Sequence, residues 1–427
     1  MKTRFLHIAL PVLTMAAVAC GDSFEFSTPT HDLDEKTDFA AGTTQVLWKN
    51  KGYVYPTGRI HNFRIPGLVR TRSRLLAFCE AREETGTTNK DGGDIDLIYR
   101  ISTDEGRTWS PSRVLFDDED NTCGNACPVW TESGRLVVFC CWARTGTTEA
   151  AFRSKYFTFE EAQRYHNHVV SFYSDDEGET WNGPFKCFTE GRNSDETQYK
   201  WTGFFKAGPG HAIQLKTGEH KGRLIVGCDH KYERFGGVPV AADSEDENYY
   251  GSHIAYSDDE GLTWHLLELD EELHYGNECV PVELSDGGIY LDMRSTGAYK
   301  KTRAGSFSRD GGITWSRYAV VPERIDPGCQ GSVANYNTDG VPSSVILATS
   351  NNSTVREKLS IRASLDDCAT WKSEVYEITA TKSGYSDIVV FPDGSVGILY
   401  ENGPKHYNEQ ISFRKIPAAT ITAYINQ

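Results

Sequence analysis

The sequence predicts an all-β protein, a six-bladed β-propeller, on three observations. An octapeptide recurs five times along the 427 residues. The segments between its copies read as short apolar strands joined by Gly, Asp and Ser turns. Only three Met and many short Gly-bounded apolar runs argue against a helical bundle.

The chain opens on a targeting segment. Lys2 and Arg4 precede an apolar stretch over residues 5–19, too short to span a bilayer. Ala17, Val18 and Ala19 satisfy the small-x-small rule of signal peptidase cleavage, and Cys20 follows directly. The segment therefore reads as a bacterial lipoprotein signal with Cys20 lipidated, in preference to plain secretion. The expected location is the periplasm or an outer-membrane or cell-surface anchor. Residues 20–44 are polar and read as a tether. The propeller is assigned to residues 45–427.

The octapeptides occupy residues 102–109 (STDEGRTW), 174–181 (SDDEGETW), 257–264 (SDDEGLTW) and 308–315 (SRDGGITW). A fifth, residues 364–371 (SLDDCATW), lacks the glycine. This is turn chemistry: the central Asp bonds nearby backbone N–H groups, Gly supplies positive φ, and the Trp anchors the turn to a neighbouring sheet. Six hairpins begin just after Arg64, Asn125, Gly210, Glu278, Gln330 and Tyr385. Five run through a third strand into an octapeptide. The sixth has none, and a strand over residues 45–48 completes the ring. One helix is expected, over residues 158–165.

Charge and cysteines narrow the function. A formal charge of −16 opposes a nucleic-acid partner, which needs a basic face, and leaves polar glycans open. Ten cysteines follow Cys20; Cys79, Cys140, Cys141 and Cys228 sit in apolar runs and read as buried free thiols. No cysteine or histidine spacing matches a zinc site, so no metal or cofactor is expected.

If each blade is a meander, its first turn and its octapeptide share one face of the disc. Strand-one starts, strand-two ends and two-to-three loops share the other. A first hairpin turning at Arg72 and Ser73 brings Arg64 and Arg82 together, and paired arginines call for an anion or carboxylate neighbour. Turns at Asp286-Gly287 and Asp393-Gly394 bring Glu278 beside Arg294 and Tyr385 beside Glu401. Arg356 and Asp91 fall in two-to-three loops on the same face. Singly, each residue has an ordinary reading: surface ion pair, packing tyrosine or turn aspartate. Together, at one propeller mouth, they point to a site.

Guanidinium forks from three blades suit a planar carboxylate. A Tyr beside a Glu suggests an activated nucleophile. A phenol suits a substrate carrying a carboxylate at its reacting carbon, because an Asp or Glu nucleophile would be repelled. Sugars of that kind are 2-keto acids such as sialic acid.

These residues resemble the exo-sialidase (neuraminidase) family of bacteria and animals. Phe63, Arg64, Ile65 and Pro66 resemble its arginine-isoleucine-proline signature, and the octapeptides resemble its Asp-box repeats. Residues 77–82, 208–211, 277–279, 328–332, 385–387 and 399–401 resemble further family segments, over about residues 46–416. The resemblance implies a sialidase-type propeller in which Arg64, Arg294 and Arg356 bind the carboxylate. It makes Tyr385 the nucleophile, Glu278 its base and Asp91 the acid/base, with Asp94 the second candidate for that role. Glu401 would orient Arg64, Arg82 would hold ring substituents, and Asn125 and Gln330 would line the pocket. Residues 125–128 (NACP) are closer to the animal-type pattern than to the bacterial one.

The resulting expectation is a retaining exo-α-sialidase acting on terminal sialic acids of glycans through a tyrosyl intermediate. Two alternatives stand beside it. One is a hydrolase or trans-glycosylase for another 2-keto acid sugar. The other is a non-catalytic glycan-binding propeller, against which the joint presence of Asp91, Glu278 and Tyr385 speaks.

Overall fold

The computed structural model describes residues 44–50, 61–83, 91–147, 167–187, 199–234, 250–267 and 275–427. The expected leader, Cys20, nearly all of the tether and the helix at residues 158–165 lie outside the described residues.

Strands dominate from end to end. In chain order they are β1 (Thr44–Lys49), β2 (His61–Arg70), β3 (Leu75–Glu83), β4 (Ile95–Ser102), β5 (Arg113–Phe116), β6 (Thr122–Trp130), β7 (Leu136–Ala143) and β8 (Asn167–Ser174). Next come β9 (Asn182–Lys186), β10 (Tyr199–Ala207), β11 (Ile213–Gln214), β12 (Leu224–Arg234), β13 (Tyr250–Ser257), β14 (His265–Leu266), β15 (Gly276–Glu283) and β16 (Ile289–Ser295). The last eight are β17 (Thr302–Ser308), β18 (Ala319–Ile325), β19 (Ser332–Asn335), β20 (Ile346–Asn351), β21 (Glu357–Ser364), β22 (Tyr376–Val390), β23 (Val396–Gly403) and β24 (Gln410–Ile416).

Hydrogen bonding groups them into four sheets. β2 to β9 form one, β10 to β14 a second, and β15 to β18 a third. The fourth has the order β1-β24-β23-β22-β21-β20-β19. Neighbours are antiparallel except where β4 meets β6 through the single pair Ile95↔Thr122. The chain's first described strand thus pairs with its last, Gln45 opposite Phe413, as the sequence predicts for residues 45–48. The predicted hairpin turns also form, with Gly287 N–H donating to Leu284 and Gly394 N–H to Phe391.

The octapeptides fold as their chemistry dictates. In the first, the Asp104 carboxylate accepts from Ser102 Oγ (2.8 Å), Thr108 N (2.8 Å) and Thr108 Oγ1 (2.6 Å). Asp176, Asp259, Asp310 and Asp366 repeat the pattern. The copy without glycine keeps the same backbone, with Cys368 at φ 66°.

Each turn packs its Trp or glycine on strands other than the two that flank it. Trp181 meets Phe78 and Tyr99, Trp264 meets Phe139, Gly312 faces Ile254, and Trp371 meets Tyr290. Trp109 of the first copy meets Phe413 of β24, the last strand, at 5.2 Å. The segment lacking an octapeptide substitutes a helix that the sequence reading missed, α1 (Ala418–Ile425), which starts after Pro417. Its Ile421 and Tyr424 are buried among Leu347, Ile361 and Ala363, and Tyr424 OH accepts from Ala363 N (3.0 Å). All ten described cysteines are free, and nine are buried, Cys79, Cys140, Cys141 and Cys228 among them. Among the described residues no helix is long and apolar enough to cross a membrane.

Candidate active site

Most of the strands that begin at the mouth break register close to it. Ladder pairing shifts between Arg64 and Gly67 in β2, Gly124 and Cys127 in β6, Gly276 and Cys279 in β15, and Ser383 and Ser386 in β22. A bulge re-aims a side chain that strict alternation would send elsewhere. Asn125, Glu278 and Tyr385 lie inside three of these bulges, and Ile65 inside the fourth. Ile65 has φ 62°, rare for a β-branched residue, and sits beside the arginine it helps to aim.

The first hairpin corrects the expected register. Arg64 pairs across the ladder with Glu80, and Arg82 with Asn62, so the two arginines are staggered rather than opposed. Each has its own carboxylate. Arg64 makes a fork to Glu401, Nε at 2.8 Å and NH2 at 3.1 Å. Glu401 also accepts the N–H groups of Ile65 (3.0 Å) and Tyr385 (3.2 Å). Burial acts to raise its pKa, but Arg64 outweighs burial and holds the pKa below the usual range. A Cβ at position 384 would fall 2.3 Å from Glu401, so only glycine admits that carboxylate. Arg82 bonds Glu80 (Nε, 2.8 Å), a buried residue to which the sequence reading gave no role. Glu80 in turn accepts Asn125 N (3.0 Å), and Gly124 leaves the space it needs.

The expected chemistry converges on one hydroxyl. Tyr385 OH lies 2.5 Å from Glu278 Oε1 and 3.1 Å from Arg294 NH1, and the same Arg294 nitrogen bonds Glu278 Oε2 at 2.8 Å. Burial, then the Glu278 charge, push the phenol well above its ordinary pKa, so Tyr385 rests protonated, donating to Glu278. Arg356 completes the set. Its guanidinium lies 5.4 Å from the Tyr385 ring centre and 4.4 Å from that of Tyr407, and Arg64 lies 5.1 Å and 5.5 Å from the same two rings. Tyr407 escaped the sequence reading because it sits in the β23–β24 connection, with nothing local to mark it.

Asp91 reaches Arg82 NH1 (2.6 Å) with a side chain 76% exposed. The surrounding protein partly desolvates this carboxylate although it reaches solvent, which acts to raise its pKa, but Arg82, then Lys206 and Arg64, hold it at about 2. Asp94 gives its carbonyl to Glu83 N (3.0 Å). Gln330 is buried with its amide committed at both ends, to Pro209 O (3.1 Å) and from Ser386 N (3.0 Å). It braces the strand beside Tyr385. Asn125 likewise spends its amide on Ala207 O (2.8 Å). Beneath them Asp387, fully buried, takes Leu68 N, His211 Nδ1 and Ser332 Oγ, each at 2.7 Å, and so ties β2 and the β10–β11 connection to its own sheet.

Charge is unbalanced in an informative way. Arg64 and Arg294 are each matched by a glutamate, and no ion pair joins Arg356 to a carboxylate among the described residues. Arg82 is matched in turn by Glu80 and Asp91, so Arg356 is the guanidinium of the set without a carboxylate of its own among the described residues. Among the described residues no group of three or more His, Cys, Asp or Glu side chains is placed to hold a metal ion.

Comparison with known proteins points to the family that the sequence resembles. A family model described as a BNR repeat-like domain matches residues 73–398. An exo-alpha-sialidase of Aspergillus fumigatus is 28% identical, covering 93% of this chain and 91% of its own. A sialidase of Paraclostridium sordellii is 28% identical over 95% and 96%. The solved leech intramolecular trans-sialidase, in complex with 2,7-anhydro-Neu5Ac, shares the fold at a TM-score of 0.66 and 20% identity, covering 85% of this chain and 69% of that one. The chain belongs to the BNR repeat-like domain family, as a glycoside hydrolase of the sialidase type.

Proposed function

We propose that the protein is a retaining exo-α-sialidase that removes terminal sialic acids from glycans on a six-bladed β-propeller. The blade count rests on grouping the strands by octapeptide. β2–β5, β6–β9, β10 with β12–β14, and β15–β18 make four meanders. β19–β21 with the start of β22 make a fifth, and the rest of β22 with β23, β24 and β1 a sixth. β22 is long enough to serve both, pairing with β21 up to Lys382 and with β23 from there on.

The observation that carries the reading is the Tyr385 hydroxyl, held between a carboxylate and a guanidinium beside Arg356, which has no carboxylate partner among the described residues. The substrate carboxylate is the partner that Arg356 lacks, bound jointly with Arg64 and Arg294. Glu278 takes the phenolic proton as the oxygen attacks C2, through an oxocarbenium-like transition state. Because burial raises the phenol's pKa, proton transfer and attack run together and no free phenolate forms beforehand. Asp91 protonates the leaving oxygen and then deprotonates the water that opens the tyrosyl intermediate. An acid held at about 2 is ionised at neutral pH. It gains its proton only when bound substrate draws it off Arg82 and shields it from water.

Export and lipidation of Cys20 belong to the same reading and rest on the leader sequence. A panel of α-linked glycosides of sialic acid, its deaminated analogue and other ulosonic acids, followed by proton NMR, tests the activity. The α anomer of free sialic acid should appear first. An initial β anomer would overturn the retaining mechanism, and a 2,7-anhydro product would make the enzyme an intramolecular transferase.

A further inference from the structure

Four buried charges lie behind the mouth, and the reaction described above uses none of them. Arg303 on β17 pairs across the ladder with Arg294 of β16, so the two side chains leave the same face of the sheet. Like charges so placed repel, and each calls for its own anion. Glu278 serves Arg294. Arg303 goes to Asp292 (2.5 Å), two residues before Arg294 and on that same face. Asp292 also takes the fork of Arg324 from β18, whose guanidinium lies 4.4 Å from the ring centre of Trp371.

The fourth charge, Asp326, directly follows β18, and like the other three its side chain is wholly buried. Its Oδ1 accepts the N–H groups of Gly328 and Cys329, each at 2.7 Å. Its Oδ2 lies 3.9 Å from Arg303 NH1 and has no hydrogen-bond partner among the described residues. The same Arg303 nitrogen donates to Cys329 O (2.6 Å). Cys329 is therefore gripped at its N–H by Asp326 and at its carbonyl by Arg303. Gly331 leaves the space, since a Cβ there would fall 2.6 Å from Thr349 O and 3.2 Å from Arg303 Cζ. The gripped residue backs the hydroxyl on which the chemistry converges. The Cys329 side chain, fully buried, packs with Ile65 and Tyr385. Burial pushes its thiol up to about 12, so it acts as a packing group and not as a nucleophile. The next residue, Gln330, accepts Ser386 N (3.0 Å), one position beyond Tyr385.

We propose that Arg303 and Asp326 are positioning residues for the reaction: by gripping the Cys329 backbone from both sides, they hold its side chain behind Tyr385 and so keep the phenol oxygen on Glu278. The proposal rests on the sialidase reading above. Asp326 and Arg303 reach the reacting groups through Cys329 alone, so their loss should slow the chemical step and leave substrate capture by the three arginines intact.

The test pairs kinetics with thiol labelling in the full-length protein. Asp326→Ala should lower kcat about ten- to a hundredfold with KM within about threefold. In the same variant Cys329 should be alkylated by N-ethylmaleimide at least about tenfold faster, read by peptide mass spectrometry, while Cys79, Cys140 and Cys228 stay protected. Asp326→Asn keeps an acceptor for both N–H groups and should keep Cys329 protected, with kcat closer to the parent. Burial already pushes the Asp326 carboxyl above its ordinary pKa, so a neutral group of the same shape is the mildest change there. Loss of kcat with every thiol exposed alike, or an exposed Cys329 with unchanged kcat, would overturn the positioning role. Should Asp326→Ala fail to fold, hydrogen exchange in the unmodified protein decides: residues 328–330 should exchange as slowly as β19, and fast exchange there would contradict the grip. An unmodified enzyme that released no sugar from any sialoside would sink the sialidase reading and the positioning role together, and the labelling would still report whether Cys329 is gripped.

Discussion

In the octapeptide turns Asp104 finds its partners at Ser102 and Thr108, within four residues; at the mouth Arg64 finds Glu401 across 337 positions of chain. Tyr385 reaches Glu278 over 107 positions and Arg294 over 91. The two faces thus spend similar polar side chains differently. Each turn satisfies itself and repeats, so losing one bond weakens one corner. The mouth adds long-range, unrepeated contacts to short ones such as Arg82–Glu80, so losing one should disable a shared site while the sheets stay paired.

The sharpest contrast should come from Tyr385→Phe, which keeps the ring under Arg64 and Arg356 and removes the oxygen proposed to attack. Its kcat should fall by at least about a hundredfold with circular dichroism unchanged. Near-normal turnover would erase the distinction between the two faces. Arg356→Met should raise KM about ten- to a hundredfold, the worth of one charge-assisted contact to the substrate carboxylate. The effect should vanish in comparisons using a substrate amide in place of the acid.

Much of the octapeptide face was legible because it is local. Repeated Ser, Asp and Thr spacings specify their own turn, and the final strand pairing followed from counting hairpins. The mouth was only partly legible. Residue identity and the family resemblance picked out Arg64, Glu278, Arg294, Tyr385 and Glu401, and the described structure brings them together. Bulges were not readable, since strict alternation puts Arg64 opposite Arg82 where the ladder staggers them. Tyr407 and α1 act through partners far away in sequence, as Glu80 does through Asn125, and local pattern is silent about such partners.

Tyr407 offers an intermediate case, a long-range contact made through a ring rather than a hydrogen bond. Tyr407→Leu should raise KM about two- to tenfold with kcat nearly unchanged, whereas Tyr407→Phe should behave as the parent. The smallest catalytic effect belongs to the other face. Asp176→Ala removes the bonds to Ser174 and Thr180 at a cost of about 1–3 kcal/mol. Thermal unfolding should begin a few degrees earlier while kcat stays within about twofold. A large drop in kcat there would mean that the turns are coupled to the mouth.

The most direct measurement is covalent. A sialic acid with fluorine at C2 and C3 has a good leaving group and a destabilised oxocarbenium ion, so the glycosyl-enzyme outlives its formation. Mass spectrometry of the treated protein should find one sugar on the peptide carrying Tyr385, and none in Tyr385→Phe. A sugar attached to Glu278 or Asp91, or an unlabelled enzyme that still releases fluoride at full rate, would contradict the account.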